Sequence, residues 1–380
     1  MKTFRRSIAE SLKSDLDKKV ILLVGPRQVG KTTLSKSLFN DYEYLNYDDE
    51  KHRSQILKQQ WDRSKPLVIF DEIHKMPSWK RWIKGIFDTS DNKQKILVTG
   101  SARLDTIKKM GDSLAGRHFT YHLMPIDFKE LKFNKINSFQ NIIDFSGFPE
   151  PFFEATERFK LNWQKSHNDL IIRQDLLSFD SIRDINSIEL LVTMLKSRVS
   201  SPFSYNSLAI DLQRDPKTIQ KWMMHLENLF LVFKLVPYSK NIARSVLKEP
   251  KYYFFDFTRL DENPGGKIEN IVALCLKKEV HFLNEVLGIE SELFYLKQKG
   301  AKELDFYIKR KNLPDVLIEV KSSDSEVSPA FKVFDKFFSK PVKIQLVLNL
   351  KKEFSNADQV RVLDLVKFLT EFDLSRPGTI

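Results

Sequence analysis

The sequence predicts an α/β protein of several domains, and three observations predict it. An apolar, strand-like run from Val20 to Val24 opens directly into Gly25-x-x-x-x-Gly30-Lys31-Thr32 and then a helical segment. Three helix-period segments between 186 and 240 break at "SSP" and "QRDP" and end in the apolar run "LFLVFKLV". Farther on, the strand-like segments "ELDFYIKR" (303–310) and "DVLIEVK" (315–321) carry Asp305 and Glu319, with Lys321 two residues later.

The bulk properties fit that reading. A chain of 380 residues has room for two or three domains at about 100–200 residues each. It is 42% hydrophobic and 29% charged, as expected of a globular protein able to bury several cores. Cys275 is the one cysteine of the sequence, so an internal disulfide is excluded and a reducing compartment is expected. The N-terminal segment is polar and lacks an apolar signal core. No apolar run approaches the ~18 residues that would span a membrane. The expected location is cytoplasmic, without a membrane partner. Net charge is +12, divided as +8 over 1–150, −1 over 151–185, +3 over 186–240 and +2 over 241–380. The excess suits an anionic partner, and nucleic acid is the candidate.

The run "VILLVGPRQVGKTTL" (20–34) carries the most specific signal. A buried parallel strand reads as a continuous apolar run, as this one does. The glycine pattern is that of a P-loop, which cradles the phosphates of ATP. Its expected ATP-binding residues are Gly25, Pro26, Arg27, Gln28, Val29, Gly30, Lys31, Thr32 and Thr33. The glycines let backbone amides face phosphate oxygens, and Lys31 adds a cation for the β- and γ-phosphates. Thr32 offers a hydroxyl to Mg²⁺, and the following helix turns its N-terminus to the anion.

A second apolar run, "PLVIFDEIH" (66–74), ends in Asp71-Glu72. Asp71 is expected to share the Mg²⁺ with Thr32, and Glu72 to polarise the attacking water. A third strand, "KILVTGSARL" (95–104), ends in Thr99-Gly100-Ser101. A polar side chain there can sense the γ-phosphate, with Ser101 the first choice and Thr99 the second. Gly116-Arg117 closes a helical segment before the strand "HFTYHL". Arg117 is the candidate arginine finger, projecting toward a neighbouring subunit's γ-phosphate.

The segments "GPRQVGKTT", "IFDEIH", "TGSARL", "SLAGRHF", "MPIDFKEL" and "SGFPEPF" occur in this order. They resemble the bacterial and archaeal AAA-type ATPases that carry a C-terminal domain of unknown function. The resemblance covers most of the chain and is most specific in the first 150 residues. It implies an AAA+-like core, a parallel sheet between helices, with nucleotide at the interfaces of a homo-oligomer. It also places a Gly-x-Pro turn near the adenine, which Gly147-Phe148-Pro149 matches. Arg158 and Arg173 are the candidate sensor arginines of the lid.

The expected organisation is an ATPase core over 1–150, a helical lid or connector over 151–185, a winged helix-turn-helix over 186–240, and a second α/β domain over 241–380. In the middle module Asp215 is a candidate N-cap, and Pro216 suits the first helical turn. Trp222, Met223, Leu226 and Leu229 form its core face. Lys217, Thr218, Gln220 and Lys221 are the residues a DNA-reading helix would project. In the last domain, helix-borne Glu269 precedes strand-borne Asp305, Glu319 and Lys321. That order is the layout of PD-(D/E)xK nuclease-like folds. Glu319 and Lys321 leave one face of their strand. The oxygens of Asp305 and Glu319, completed by Glu269, suit a second Mg²⁺ or Mn²⁺, and Lys321 is placed to orient or deprotonate water and steady phosphate charge.

The function expected from these readings is a Mg²⁺-dependent, ATP-hydrolysing AAA+ ATPase. Its turnover would rearrange modules that bind nucleic acid or a partner. Two alternatives share the same residues. One is an ATP-controlled nucleic-acid-binding scaffold with a non-cutting C-terminal domain. The other is an ATP-gated, metal-dependent nuclease.

Overall fold

The computed structural model describes residues 4–89, 94–100, 114–176, 184–239, 249–260, 262–298, 302–323 and 326–376. The chain divides into two compact units. One comprises residues 1–125 with 228–230, and the other comprises 126–227 and 231–380. The break at 125 falls short of the boundary at 150 expected from the sequence.

The first unit is a five-stranded parallel sheet. Its strands are β1 (Val20–Val24), β2 (Glu43–Asn46), β3 (Leu67–Asp71), β4 (Lys95–Thr99) and β5 (His118–His122), in the spatial order β2-β3-β4-β1-β5. All five residues of β1 and of β3 are buried, as strands covered by helices on both faces require. Val20, Leu22, Val24, Val68, Phe70, Ile96 and Val98 share a core with Trp79, Ile83 and Ile86 of the helix Trp79–Thr89. Trp61 meets Phe70 edge to face, with ring centroids 5.3 Å apart. Short helices at Lys31–Ser37 and Glu50–Leu57 complete the flanks. Asp49 caps the second of these by accepting from the His52 amide at 2.8 Å.

Because every strand runs the same way, the C-terminal ends of β1, β3 and β4 lie along one edge of the sheet. Register fixes them there, with Leu23 beside Thr99 and Asp71 beside both Thr99 and Asn46. The strand order reverses next to β1, and open α/β sheets bind ligands at such a crevice.

The second unit begins with the helices Phe128–Phe133, Phe139–Phe145, Pro149–Glu154 and Glu157–Asn168, followed by a π-helical turn, Asp169–Asp175. Pro149 opens its helix, and Phe148 is buried against Trp163 and His167, with centroid distances of 5.0 and 5.2 Å. Three further helices, Ile185–Ser197, Tyr205–Leu212 and Pro216–Asn228, lead into an antiparallel pair, β6 (Val232–Leu235) and β7 (Lys251–Phe254). Asp215 accepts from the Lys217 amide at 2.8 Å, and Trp222, Met223, Leu226 and Leu229 are buried.

The remaining residues form a six-stranded mixed sheet. It contains β8 (Ser291–Lys297), β9 (Glu303–Arg310), β10 (Val316–Lys321), β11 (Val342–Val347), β12 (Phe354–Ser355) and β13 (Val360–Asp364), ordered β12-β13-β11-β10-β9-β8. β10 pairs antiparallel with β9 and parallel with β11. The helix Pro264–Glu285 packs against β7, β8 and β10. Its N-cap, Asn263, accepts from the Gly266 amide at 3.0 Å. Cys275 is buried in this helix, and burial raises its thiol above the ordinary range, so it serves packing.

Phe148 carries much of the packing around the Pro149 turn. Phe148→Ala should lower the unfolding free energy by about 3–5 kcal/mol. Urea denaturation followed by tryptophan fluorescence checks this, and a loss under about 1 kcal/mol would contradict the packing described.

Candidate nucleotide site

The P-loop spans the turn between β1 and the helix Lys31–Ser37. Gly25 has φ +151°, and a Cβ placed there would meet the Leu123 carbonyl oxygen at 2.3 Å. Only glycine lets the loop pass that close to a neighbouring backbone. Gln28 and Gly30 both have positive φ, 59° and 95°, so the loop curls rather than continuing the strand. Lys31 is buried, and its Nζ donates to the carbonyls of Gly25 and Pro26 at 2.9 and 2.7 Å. The ammonium thus lies inside the loop's curl, where triphosphate oxygens are expected. Arg6 donates to the Val29 carbonyl at 3.0 Å and to the Met124 carbonyl.

Asp71 is the second anchor. It ends β3 and accepts three hydroxyl hydrogen bonds. Thr32 Oγ1 donates to Oδ2 at 3.0 Å, Tyr44 OH to Oδ2 at 2.7 Å, and Thr99 Oγ1 to Oδ1 at 2.6 Å. These donors come from the P-loop helix, β2 and β4. The hydroxyl of Thr32 and the carboxylate of Asp71 are hard oxygen ligands held side by side, the donor type that Mg²⁺ takes. Bound there, a magnesium ion would neutralise phosphate charge.

Glu72 follows in the left-handed region, at φ 55°, which costs a non-glycine residue of order 1–3 kcal/mol. Its amide donates to the Thr99 carbonyl at 3.0 Å, carrying the β3–β4 ladder one step farther. The reversal turns its carboxylate toward Lys75 and His74, at 3.4 and 3.7 Å. Of the sensor candidates, Thr99 is fully buried with its hydroxyl committed to Asp71. Ser101 lies outside the described residues.

Arg117 sits at the opposite edge of the sheet. Its carbonyl accepts from the Val20 amide at the start of β1, and its Nε pairs with Asp88 at 2.7 Å. The length of β1, roughly 16 Å at about 3.3 Å per residue, separates it from the P-loop edge. The Gly147-Phe148-Pro149 turn belongs to the second unit, where Phe148 is buried. Arg158 is exposed, and Arg173 pairs with Asp169 and Glu189 at 3.4 and 3.5 Å.

In the second unit Lys217, Gln220 and Lys221 are exposed and Thr218 is half-buried on the helix Pro216–Asn228. Asp305 lies near both Glu319 and Glu269, and its carboxylate is 3.6 Å from the Lys251 Nζ that Glu269 also approaches. Glu319 pairs with Lys321 at 2.9 Å, while Asp305 accepts from the Val320 amide at 2.9 Å. Glu269 accepts from Tyr253 OH at 2.7 Å and lies 3.2 Å from Lys251 Nζ. Burial, then the Asp305 carboxylate, push Glu269 up to about 8 and Glu319 up to about 7. Among the described residues, no three carboxylates here bring ligand oxygens within 4.8 Å of one another. The second Mg²⁺ or Mn²⁺ expected from the sequence therefore has no three-carboxylate set of that kind among the described residues.

Several residues of these sites gave no sequence signal. Tyr44 lies on an edge strand the sequence reading did not single out. Lys251 and Tyr253 carry no sequence motif, and Glu303 opens a segment that shows only a strand pattern. A polar network also joins "SGFPEPF" to "FFDFTRL". Ser146 and Thr258 donate to Asp256 Oδ1 at 2.9 and 2.6 Å, and the Arg259 guanidinium meets Asn168 and His167.

Residues 17–132 match the model of an AAA domain. Residues 136–258 and 264–368 match two domains of unknown function, DUF8612 and DUF4143. The AAA-domain match supports an ATPase of the AAA+ type. An uncharacterized protein of Methanocaldococcus jannaschii is 26% identical over 349 residues, covering 81% of this chain and 76% of its own. An uncharacterized Mycobacterium tuberculosis protein is 23% identical over 343 residues, covering 84% of this chain and 77% of its own. Among solved structures, a RuvB variant of Thermotoga maritima is 14% identical, with a TM-score of 0.34, covering 61% of this chain and 88% of its own. A signal transduction ATPase with numerous domains from Pyrococcus horikoshii is 14% identical, with a TM-score of 0.26, covering 75% of this chain and 47% of its own. Among the described residues no helix is long and apolar enough to cross a membrane.

Thr99→Val keeps the shape of the side chain and removes a donor to a buried carboxylate oxygen. It should cost about 1–3 kcal/mol of stability. Chemical denaturation of the nucleotide-free protein reads this, and an unchanged midpoint would remove Thr99 from the support of Asp71.

Proposed function

We propose that this chain is a Mg²⁺-dependent ATPase whose turnover rearranges modules of its second unit. The observation that carries the reading is the convergence of Lys31, Thr32 and Asp71 at one edge of the parallel sheet, with Thr32 Oγ1 3.0 Å from Asp71 Oδ2. Lys31 would exchange its loop carbonyls for phosphate oxygens. Thr32 and Asp71 would hold the magnesium, and Glu72 would orient water at the γ-phosphate. All nine residues from Gly25 to Thr33 contribute to the phosphate cradle in this reading.

Arg117 fits a finger acting between subunits. Its position on the far edge of the sheet keeps it from its own phosphates, so the reading implies a homo-oligomer. An Arg117→Ala chain and a Lys31→Ala chain should each lose ATP turnover, by about 10³-fold or more for the arginine. Mixing the two should restore a fraction of the activity, because intact fingers then meet intact loops. Full activity of either single variant, or a mixture no more active than its parts, would reject the assignment.

The helix Pro216–Asn228 and β6 suit a winged helix over 186–240, with β7 pairing onto β6 from beyond that range, preceded by a lid or connector over 151–185. We assign 241–380, with its helix and mixed sheet, to a nuclease-like fold acting as a scaffold. Lys217, Gln220 and Lys221 share the exposed face of their helix and fit a nucleic-acid backbone. Lys217→Ala and Lys221→Ala together should weaken DNA binding and flatten the slope of log K against log salt by about 0.9 per lost phosphate contact. Fluorescence anisotropy at several salt concentrations reads both. An unaltered slope would point to a protein partner instead.

A further inference from the structure

Lys251 opens β7 directly after Pro250, and its side chain is 1% exposed. Its Nζ lies 2.7 Å from Glu303 Oε1, 3.2 Å from Glu269 Oε1 and 3.6 Å from Asp305 Oδ1. Three carboxylates, from the helix Pro264–Glu285 and from β9, surround one ammonium. Tyr253 leaves the same face of β7 two residues on, and its hydroxyl donates to Glu269 at 2.7 Å. Asp305 turns its other oxygen to the Val320 amide.

These distances belong to an ammonium. Mg²⁺ draws oxygens to about 2.0–2.1 Å and Ca²⁺ to about 2.3–2.6 Å, whereas the oxygens here spread around Nζ at 2.7–3.6 Å. A buried ammonium is unfavourable unless paired, and clustered buried carboxylates are unfavourable without a cation. Lys251 satisfies both conditions with one side chain. The same lysine also ties the β6–β7 pair to the six-stranded sheet, because Glu303 and Asp305 stand on β9.

We propose that Lys251 is a built-in cation occupying the place of a divalent metal in the Glu269, Glu303 and Asp305 cluster. The second unit then assembles without a metal there and does not cut nucleic acid through this cluster. An ammonium has no coordination position for water and does not generate hydroxide as a divalent cation does. Lys321, the lysine expected to address water, is paired with Glu319. The inference narrows the scaffold reading of 241–380 and is independent of ATP turnover, since no P-loop residue takes part.

The test uses the full-length, nucleotide-free chain titrated with Mn²⁺, with free Mn²⁺ followed by electron paramagnetic resonance. Wild type and Asp305→Asn should bind the same number of ions. Lys251→Met should gain one Mn²⁺ per chain, lost again when Asp305→Asn is added, and its melting temperature should rise with Mn²⁺. If Lys251→Met does not fold, Lys251→Met combined with Glu303→Gln relieves one negative charge and gives the same readout. A wild-type chain that binds one Mn²⁺ more than Asp305→Asn overturns the inference. So does a folded Lys251→Met chain, single or combined, that gains none. DNA cleavage by wild type that requires Mn²⁺ and disappears in Asp305→Asn overturns it as well. ATP turnover measured on the same preparations separates this failure from a failure of the ATPase assignment.

Discussion

Asp71 is the point on which the first unit converges. One carboxylate accepts hydroxyls from Thr32, Tyr44 and Thr99, and these three residues come from the P-loop helix, β2 and β4. A buried carboxylate needs such donors, because water no longer supplies them. Each bond also fixes an element, so the carboxylate that would hold the magnesium sets the spacing between the phosphate loop and the neighbouring strands. The parallel sheet makes this convergence available, since strands running one way bring their C-terminal ends to one edge. Glu72 takes a left-handed turn immediately after Asp71, which redirects the chain and brings the next carboxylate to Lys75 and His74.

The second unit meets the same electrostatic problem with different means. Its acidic groups are matched by buried cations on the chain itself. Lys251 faces Glu269, Glu303 and Asp305, Lys278 faces Asp127 and Glu130, and Arg259 faces Asp256. Each pair joins segments distant in sequence or closes a short turn. Breaking one partner of such a buried pair costs more than the pair itself contributes, because it leaves an uncompensated charge.

The separation of Arg117 from the P-loop follows from the same parallel sheet. The strand that brings the loop to one edge carries the residues before it to the other. Among the described residues, the Arg117 guanidinium is held by Asp88 and not by any group of the nucleotide edge. In the proposed reading, an arginine in that position would serve a phosphate of another copy of the chain rather than its own.

By itself the sequence determined the strands that carry a run of apolar residues and the local motifs. The runs at 20–24, 67–71, 95–99 and 303–310 each became a strand, because buried strands leave continuous apolar or alternating patterns. The P-loop was legible because its glycines answer a local backbone demand, and Asp215 and Pro216 mark a helix start for the same reason. The order Glu269, Asp305, Glu319, Lys321 was legible, but what its members touch was not. Tyr44 came from a four-residue edge strand too short and polar to show a pattern. Lys251 looked like an ordinary strand residue, because the carboxylates around it lie 18, 52 and 54 positions away in sequence. Only the tertiary structure decided that Asp71 gathers three hydroxyls, that Arg117 faces away from its own loop, and that an ammonium stands among the carboxylates. Hydrogen bonds and ion pairs act over about 3–4 Å of space, and distance in space is set by how strands and helices stack, which spacing along the chain does not encode.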